Sequence, residues 1–131
     1  MIGIDTNILV RILVDDKEAL EQCQKARALI MQHDKVFIST VVLVETVWVL
    51  QRAYGVGKPQ ILRLLNRLLL QKALTFENRS LIERACEIYR NGKPGFSDAL
   101  ILAIHETRQC VLYTFDKTLG RHPQAKSIYF S

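Results

Sequence analysis

The sequence predicts an α/β fold built on a parallel sheet covered on both faces. Short apolar runs of strand length alternate with longer segments of helical periodicity, the pattern of βαβ units. The chain has 131 residues, 49% of them hydrophobic, enough for one compact core and too few for two. Its three prolines are dispersed, and no repeat, low-complexity tract or Gly/Ser-rich linker interrupts it, so a single domain over residues 1–131 is expected.

Met1 to Asp5 reads as a short buried strand, followed by a helix through Asn7 to Val14. A second helix is expected from about Asp16 to His33, with Ala19, Leu20, Cys23, Ala26, Leu29 and Ile30 at helical spacing. Val36 to Ser39 is the second strand. The run "TVVLVETVWVLQRAYG" is rich in β-branched residues, which favours strand, but its length exceeds a normal strand and Gly55 offers a helix stop, so a helix is expected. "KPQILRLLNRLLLQK" starts a further helix with Pro59 in its first turn. Leu74 to Glu77 is a third strand, and Ser80–Asn91 and Ser97–Arg108 are helices. "CVLYTFD" then reads as a strand ending in an acid, and "SIYF" as the last strand.

Eighteen Lys and Arg against thirteen Asp and Glu give a net charge of +5, which suits a polyanionic partner without establishing one. The three cysteines, Cys23, Cys86 and Cys110, are widely spaced, with no zinc-type pairing, and fit reduced, packed thiols. The N-terminus has no basic leader-like region, and the longest apolar stretches are too short to span a bilayer. A cytoplasmic protein with no membrane association is expected.

Four acids stand at the ends of elements. Ligand sites in an open parallel sheet form beyond the carboxyl ends of its strands. Asp5 follows the first strand directly and Asp116 follows "LYTF". Asp98 opens a helix, and Glu45 lies a turn into the helix after the second strand. Each has a structural reading too. Asp5 and Thr6 suit a helix cap, Asp98 with Ser97 suits another, Asp116 suits a turn before Leu119, and Glu45 suits a solvated helix position. Jointly the acids say more, because converging carboxylates repel unless a cation sits among them, and hard oxygen donors select Mg²⁺ or Mn²⁺ over zinc. Such a site lowers the pKa of a bound water and holds a phosphodiester oxygen.

"IDTNIL", "ST..LVET" around Glu45, "FSDALILA" at Asp98 and "LYTFDK" at Asp116, in this order, resemble the four motif blocks of the PIN domain, and the short chain most resembles the VapC-type toxins of toxin–antitoxin pairs. The resemblance implies a three-layer α/β/α sandwich with a central, mostly parallel sheet and a metal-dependent ribonuclease cutting single-stranded or looped RNA. It implies that Asp5, Glu45, Asp98 and Asp116 form the catalytic, metal-holding set, with Thr6, Asn7 and Thr114 supporting it. It also implies a homodimer and an antitoxin that covers the active-site groove. Leu119 stands where the last block suggests an aromatic residue.

Lys93, Lys117 and Arg121 lie beside the third and fourth acidic blocks, where they suit RNA phosphates. Tyr89, Phe96 and Phe115 suit either core packing or a stacked base. Arg63 and Arg67 are a like-charged i,i+4 pair that suits a solvated face or an anionic partner. Asp15, Asp16 and Glu18 suit a helix start. The histidines show no ligand spacing, and His105 lies roughly 10 Å along its helix from Asp98. The helix at 59–71 carries more leucine than one core stripe needs, which leaves burial or an interface with a partner open.

Two other acid-bearing folds fit less well. A phosphoacceptor receiver needs an acid pair after the first strand, and a haloacid-dehalogenase-like phosphatase needs an aspartate where Asn7 stands. The remaining alternative is a noncatalytic RNA- or partner-binding module with acidic helix caps.

Overall fold

The computed structural model describes residues 1–129. They form two compact units, Met1–Asn78 and a second beginning at Arg79, each α/β. Among the described residues, no helix is long and apolar enough to cross a membrane.

In the first unit β1 (Ile2–Gly3), β2 (Val36–Ile38) and β3 (Leu74–Phe76) form a parallel sheet in the order β1-β2-β3, with Ile2 opposite Val36 and Val36 opposite Leu74. Parallel neighbours need long crossovers. The first is α1 (Thr6–Leu13) followed by α2 (Leu20–Met31), and the second is α3 (Thr40–Tyr54) followed by α4 (Lys58–Leu70). The second helix begins later than its sequence pattern suggests. Asp16 accepts from the Glu18 N–H and holds Lys17–Ala19 in a 3₁₀ turn before α2 starts.

Burial decides the helical state of α3 over its β-branched propensity. Leu43, Val47 and Leu50 recur at helical spacing and are almost fully buried, and Ser39 accepts from the Val42 N–H at the start. Gly55 then ends the helix at φ +62°, a conformation that glycine enters without strain. The core of this unit also takes Leu9, Val36, Ile38, Ile61 and Leu65, each contributing roughly 1.5–3 kcal/mol by leaving water. A polar node ties its helices: Arg11 donates to Tyr54 Oη at 2.9 Å, Tyr54 donates to Asp16 at 2.7 Å, and Arg11 reaches Gln22 at 2.7 Å. The Tyr54 bond above all, with the Glu18 amide and the Arg11 charge, holds the Asp16 carboxyl below its ordinary pKa.

The leucine surplus of α4, for which the sequence left burial or an interface open, divides between the two environments. Ile61, Leu65, Leu68 and Leu69 are buried, while Leu70 is exposed and Leu64 lines an apolar cleft of about 350 Å³ with Ile12, Leu68 and Leu74.

In the second unit α5 (Arg79–Asn91) packs on α6 (Phe96–Thr107), burying Ile82, Ala85, Leu102 and Ala103. Arg84 on α5 makes a two-pronged pair with Glu106 on α6, both bonds 2.9 Å. Strands β4 (Leu112–Thr114) and β5 (Ala125–Ser127) pair in parallel, Tyr113 opposite Lys126. The last strand thus lies earlier than "SIYF" suggests: Ser127 ends it, Ile128 and Tyr129 form a turn, and Phe130 is outside the described residues. A second 3₁₀ turn, Leu119–Arg121, approaches β5 so closely that a Cβ on Gly120 would fall 2.7 Å from the Ser127 Cβ and amide nitrogen. That approach requires glycine.

The α/β class with parallel strands is therefore as the sequence predicts. Cys23 and Cys86 are buried thiols and Cys110 is exposed; burial pushes the Cys86 thiol up to about 11.

Candidate active site

Asp5 and Glu45 belong to the first unit. Asp5 caps α1, its Oδ1 accepting from the Ile8 N–H at 3.1 Å, so the structural reading of this residue holds. Thr6 opens the helix, partly buried, and Asn7 is exposed. Glu45 lies on α3, which packs against α1, and its exposed carboxylate has no side-chain partner among the described residues. Trp48, three residues on, is 59% exposed, with the Arg52 guanidinium 5.5 Å from its ring centre.

One acid at this end of the first sheet has a role that sequence reading missed. Glu77, just past β3, accepts from the Thr40 N–H at 2.9 Å and so caps α3 from another element. Thirty-seven positions separate donor and acceptor, so no local motif marks the bond.

Asp98 and Asp116 belong to the second unit, and here two of the acids meet. Thr114, the last residue of β4, accepts the Asp116 N–H at 3.0 Å, and Asp116 Oδ1 accepts from the Leu119 N–H at 2.9 Å. Asp116 therefore caps the turn, and Thr114 orients its backbone. Asp98 lies in the first turn of α6, whose N-cap is Gly95. It makes no hydrogen bond or ion pair among the described residues, so the capping role open to it is not the one it takes. Burial, and then the negative charge of Asp116, raise its pKa. A partly buried carboxylate under the charge of a second one, with no cationic partner among the described residues, is an unbalanced arrangement.

Within neither unit, among the described residues, do three His, Cys, Asp or Glu side chains gather as a metal set. Within the second unit the donor chemistry nevertheless fits a hard divalent cation: Asp98 has no hydrogen bond or ion pair among the described residues, and the cap at Asp116 engages a single carboxylate oxygen. Lys93, Lys117 and Arg121 are exposed. His105 bonds the Ile101 carbonyl of its own helix, a structural role. Tyr89 and Phe96 pack edge to face in the core, each 2% exposed, whereas Phe115 is 63% exposed.

The PIN domain family model matches residues 2–124. The chain belongs to the PIN domain family. This PIN domain chain also resembles a crystal structure of Mycobacterium tuberculosis VapC20, a Sarcin-Ricin loop cleaving toxin, at 20% identity and a TM-score of 0.46, over 92% of this chain and 93% of that one. A search of curated proteins found no match. The family match spans both units, and it contains all four acids singled out in the sequence.

Proposed function

We propose that the chain is a divalent-metal-dependent endoribonuclease, the toxin of a toxin–antitoxin pair, acting in the cytoplasm as a homodimer and formed by one PIN domain over residues 1–131. The observation that carries this reading is Asp98, a partly buried carboxylate that feels the negative charge of Asp116 and has no hydrogen bond or ion pair among the described residues. The family supplies the reaction class, and the four acids supply oxygen donors.

Asp5, Asp98 and Asp116 would hold Mg²⁺ or Mn²⁺, with Glu45 completing the set. When bound, the ion polarises the phosphodiester and lowers the pKa of a water. Glu45, exposed and without a side-chain partner among the described residues, would accept a proton from the attacking water. Thr114 fixes the Asp116 backbone through the amide bond, while Thr6 and Asn7 occupy the turn behind Asp5. Lys93, Lys117 and Arg121 bind phosphates and so retain any RNA sequence alike. In-line attack leaves a 5′-phosphate and a 3′-hydroxyl. An antitoxin would cover the active-site groove, and the apolar cleft along α4, with Leu64 on its wall, offers a further surface to a partner, either an antitoxin or a second copy.

The noncatalytic alternative keeps one support, since Asp5 and Asp116 do act as caps. Cleavage of a mixed RNA panel by antitoxin-free protein with Mg²⁺, Mn²⁺ or EDTA, beside folded Asp98→Asn, separates the two. Cutting that needs the metal and disappears in the variant is expected. RNA that is bound but uncut at every metal concentration would establish the binding module instead.

A further inference from the structure

We propose that the outward face of the β4–β5 pair is a base-stacking platform for single-stranded RNA, with Phe115 and Tyr113 as its stacking residues. The idea deepens the ribonuclease reading and rests on it for the identity of the polymer. Strand alternation sends Leu112 and Thr114 to the covered side and Val111, Tyr113 and Phe115 to solvent. Tyr113 and Phe115 are each 63% exposed and Tyr129 is 64% exposed, although rings of this size usually bury most of their surface. Phe115 and Tyr129 lie 5.4 Å apart at 51°, a tilted pair in which both side chains remain more than half exposed.

Charge selects the occupant. Lys126 stands opposite Tyr113 in register, exposed and without an acidic partner among the described residues, so a cation sits within the aromatic face. Arg121, exposed and likewise unpaired, lies in the turn between the strands. A face shared between two copies of the chain would place a lysine at its centre, where interfaces are depleted of charge. Aromatic faces beside cations suit a strand of nucleotides, whose bases stack while its phosphates meet the amines. Phe115 directly precedes Asp116, so a base held on its ring brings the adjoining phosphodiester to the acidic residue next in the chain.

Binding is measured in EDTA, so that cutting plays no part, with fluorescent oligouridylate of about ten nucleotides and an abasic oligomer of equal length. Phe115→Ala, Tyr113→Ala and Phe115→Leu are compared with wild type after circular dichroism confirms folding. Each substitution is expected to weaken oligouridylate binding about tenfold and leave the abasic oligomer unchanged. Phe115→Leu keeps apolar bulk and loses the ring, so it separates stacking from general apolar contact. Equal losses for both oligomers, or full affinity in all three variants, would overturn the platform. So would a dimer that dissociates in Phe115→Ala while RNA affinity holds, which would make this face a contact between copies. Wild-type protein that cuts RNA with Mg²⁺ while the variants bind and cut equally well overturns the platform alone. Wild-type protein that binds no RNA in EDTA overturns the platform, and if it also cuts none with Mg²⁺ or Mn²⁺ both readings fall.

Discussion

Asp98 concentrates what single residues do here. Its proton affinity in the folded chain is raised by burial and by the charge of Asp116, so the ionised form opposes folding. The native state therefore gains stability as pH falls into the carboxylate range and loses it as pH rises through the raised value. In metal-free protein, Asp98→Asn is expected to melt above wild type at neutral pH, with the difference shrinking toward about pH 4. Adding Mg²⁺ or Mn²⁺ should raise the wild-type midpoint and not that of the variant. RNA cleavage should fall by more than the roughly 10- to 100-fold that loss of an outer partner of a metal ligand costs. An asparagine variant that melts lower than wild type at neutral pH, or still cuts fully, would remove Asp98 from this role. The caps at Asp5 and Asp116 were legible in the sequence because both acids bond amides three residues on. The isolation of Asp98 was not, since it depends on Gly95 taking the cap and on Asp116 arriving from the end of a strand eighteen positions later. Glu77 capping α3 escaped for the same reason, its partner lying across the sheet.

At the scale of elements, α3 shows a helix tuned imperfectly for stability. Thr46 is 2% exposed and its hydroxyl has no hydrogen-bond partner among the described residues, its neighbours including Leu43, Leu50 and Ile61. Thr46→Val keeps the shape and removes the buried hydroxyl. A gain of about 1 kcal/mol is expected, seen as a rise of roughly 3–5 °C in Tm. An unchanged or lower Tm would show that the hydroxyl is satisfied in solution. Helices were readable because burial recurs along them: the apolar positions of α3 and α4 and the Gly55 stop need no knowledge of the rest of the chain. The strands were located well but ended less accurately. The bounds of β5 come from its register with β4 and from the turn pressed against Ser127, and neither is a local property.

The molecule as a whole carries +5, and the proposed RNA contacts at Lys93, Lys117 and Arg121 make that charge testable. Three phosphate contacts on a single strand give a log–log salt slope of about −2, or roughly a 20-fold loss of affinity between 50 and 200 mM salt. Titration of labelled RNA across that range in EDTA measures it, and a flat response would assign these cations to another purpose. Composition permitted a polyanion, and the ordered motif blocks narrowed it to RNA. The solvent-facing rings of β4 were hidden in a sequence that reads as an ordinary buried strand, because alternation in "VLYTF" sets large apolar side chains on both faces. Trp48 carries a different kind of consequence. It is the sole tryptophan in the chain, open to solvent and one helical turn from Glu45, beneath the Arg52 guanidinium. The protein thus contains a natural fluorophore beside one of its proposed catalytic acids, and its emission gives an optical signal from α3 without any attached dye.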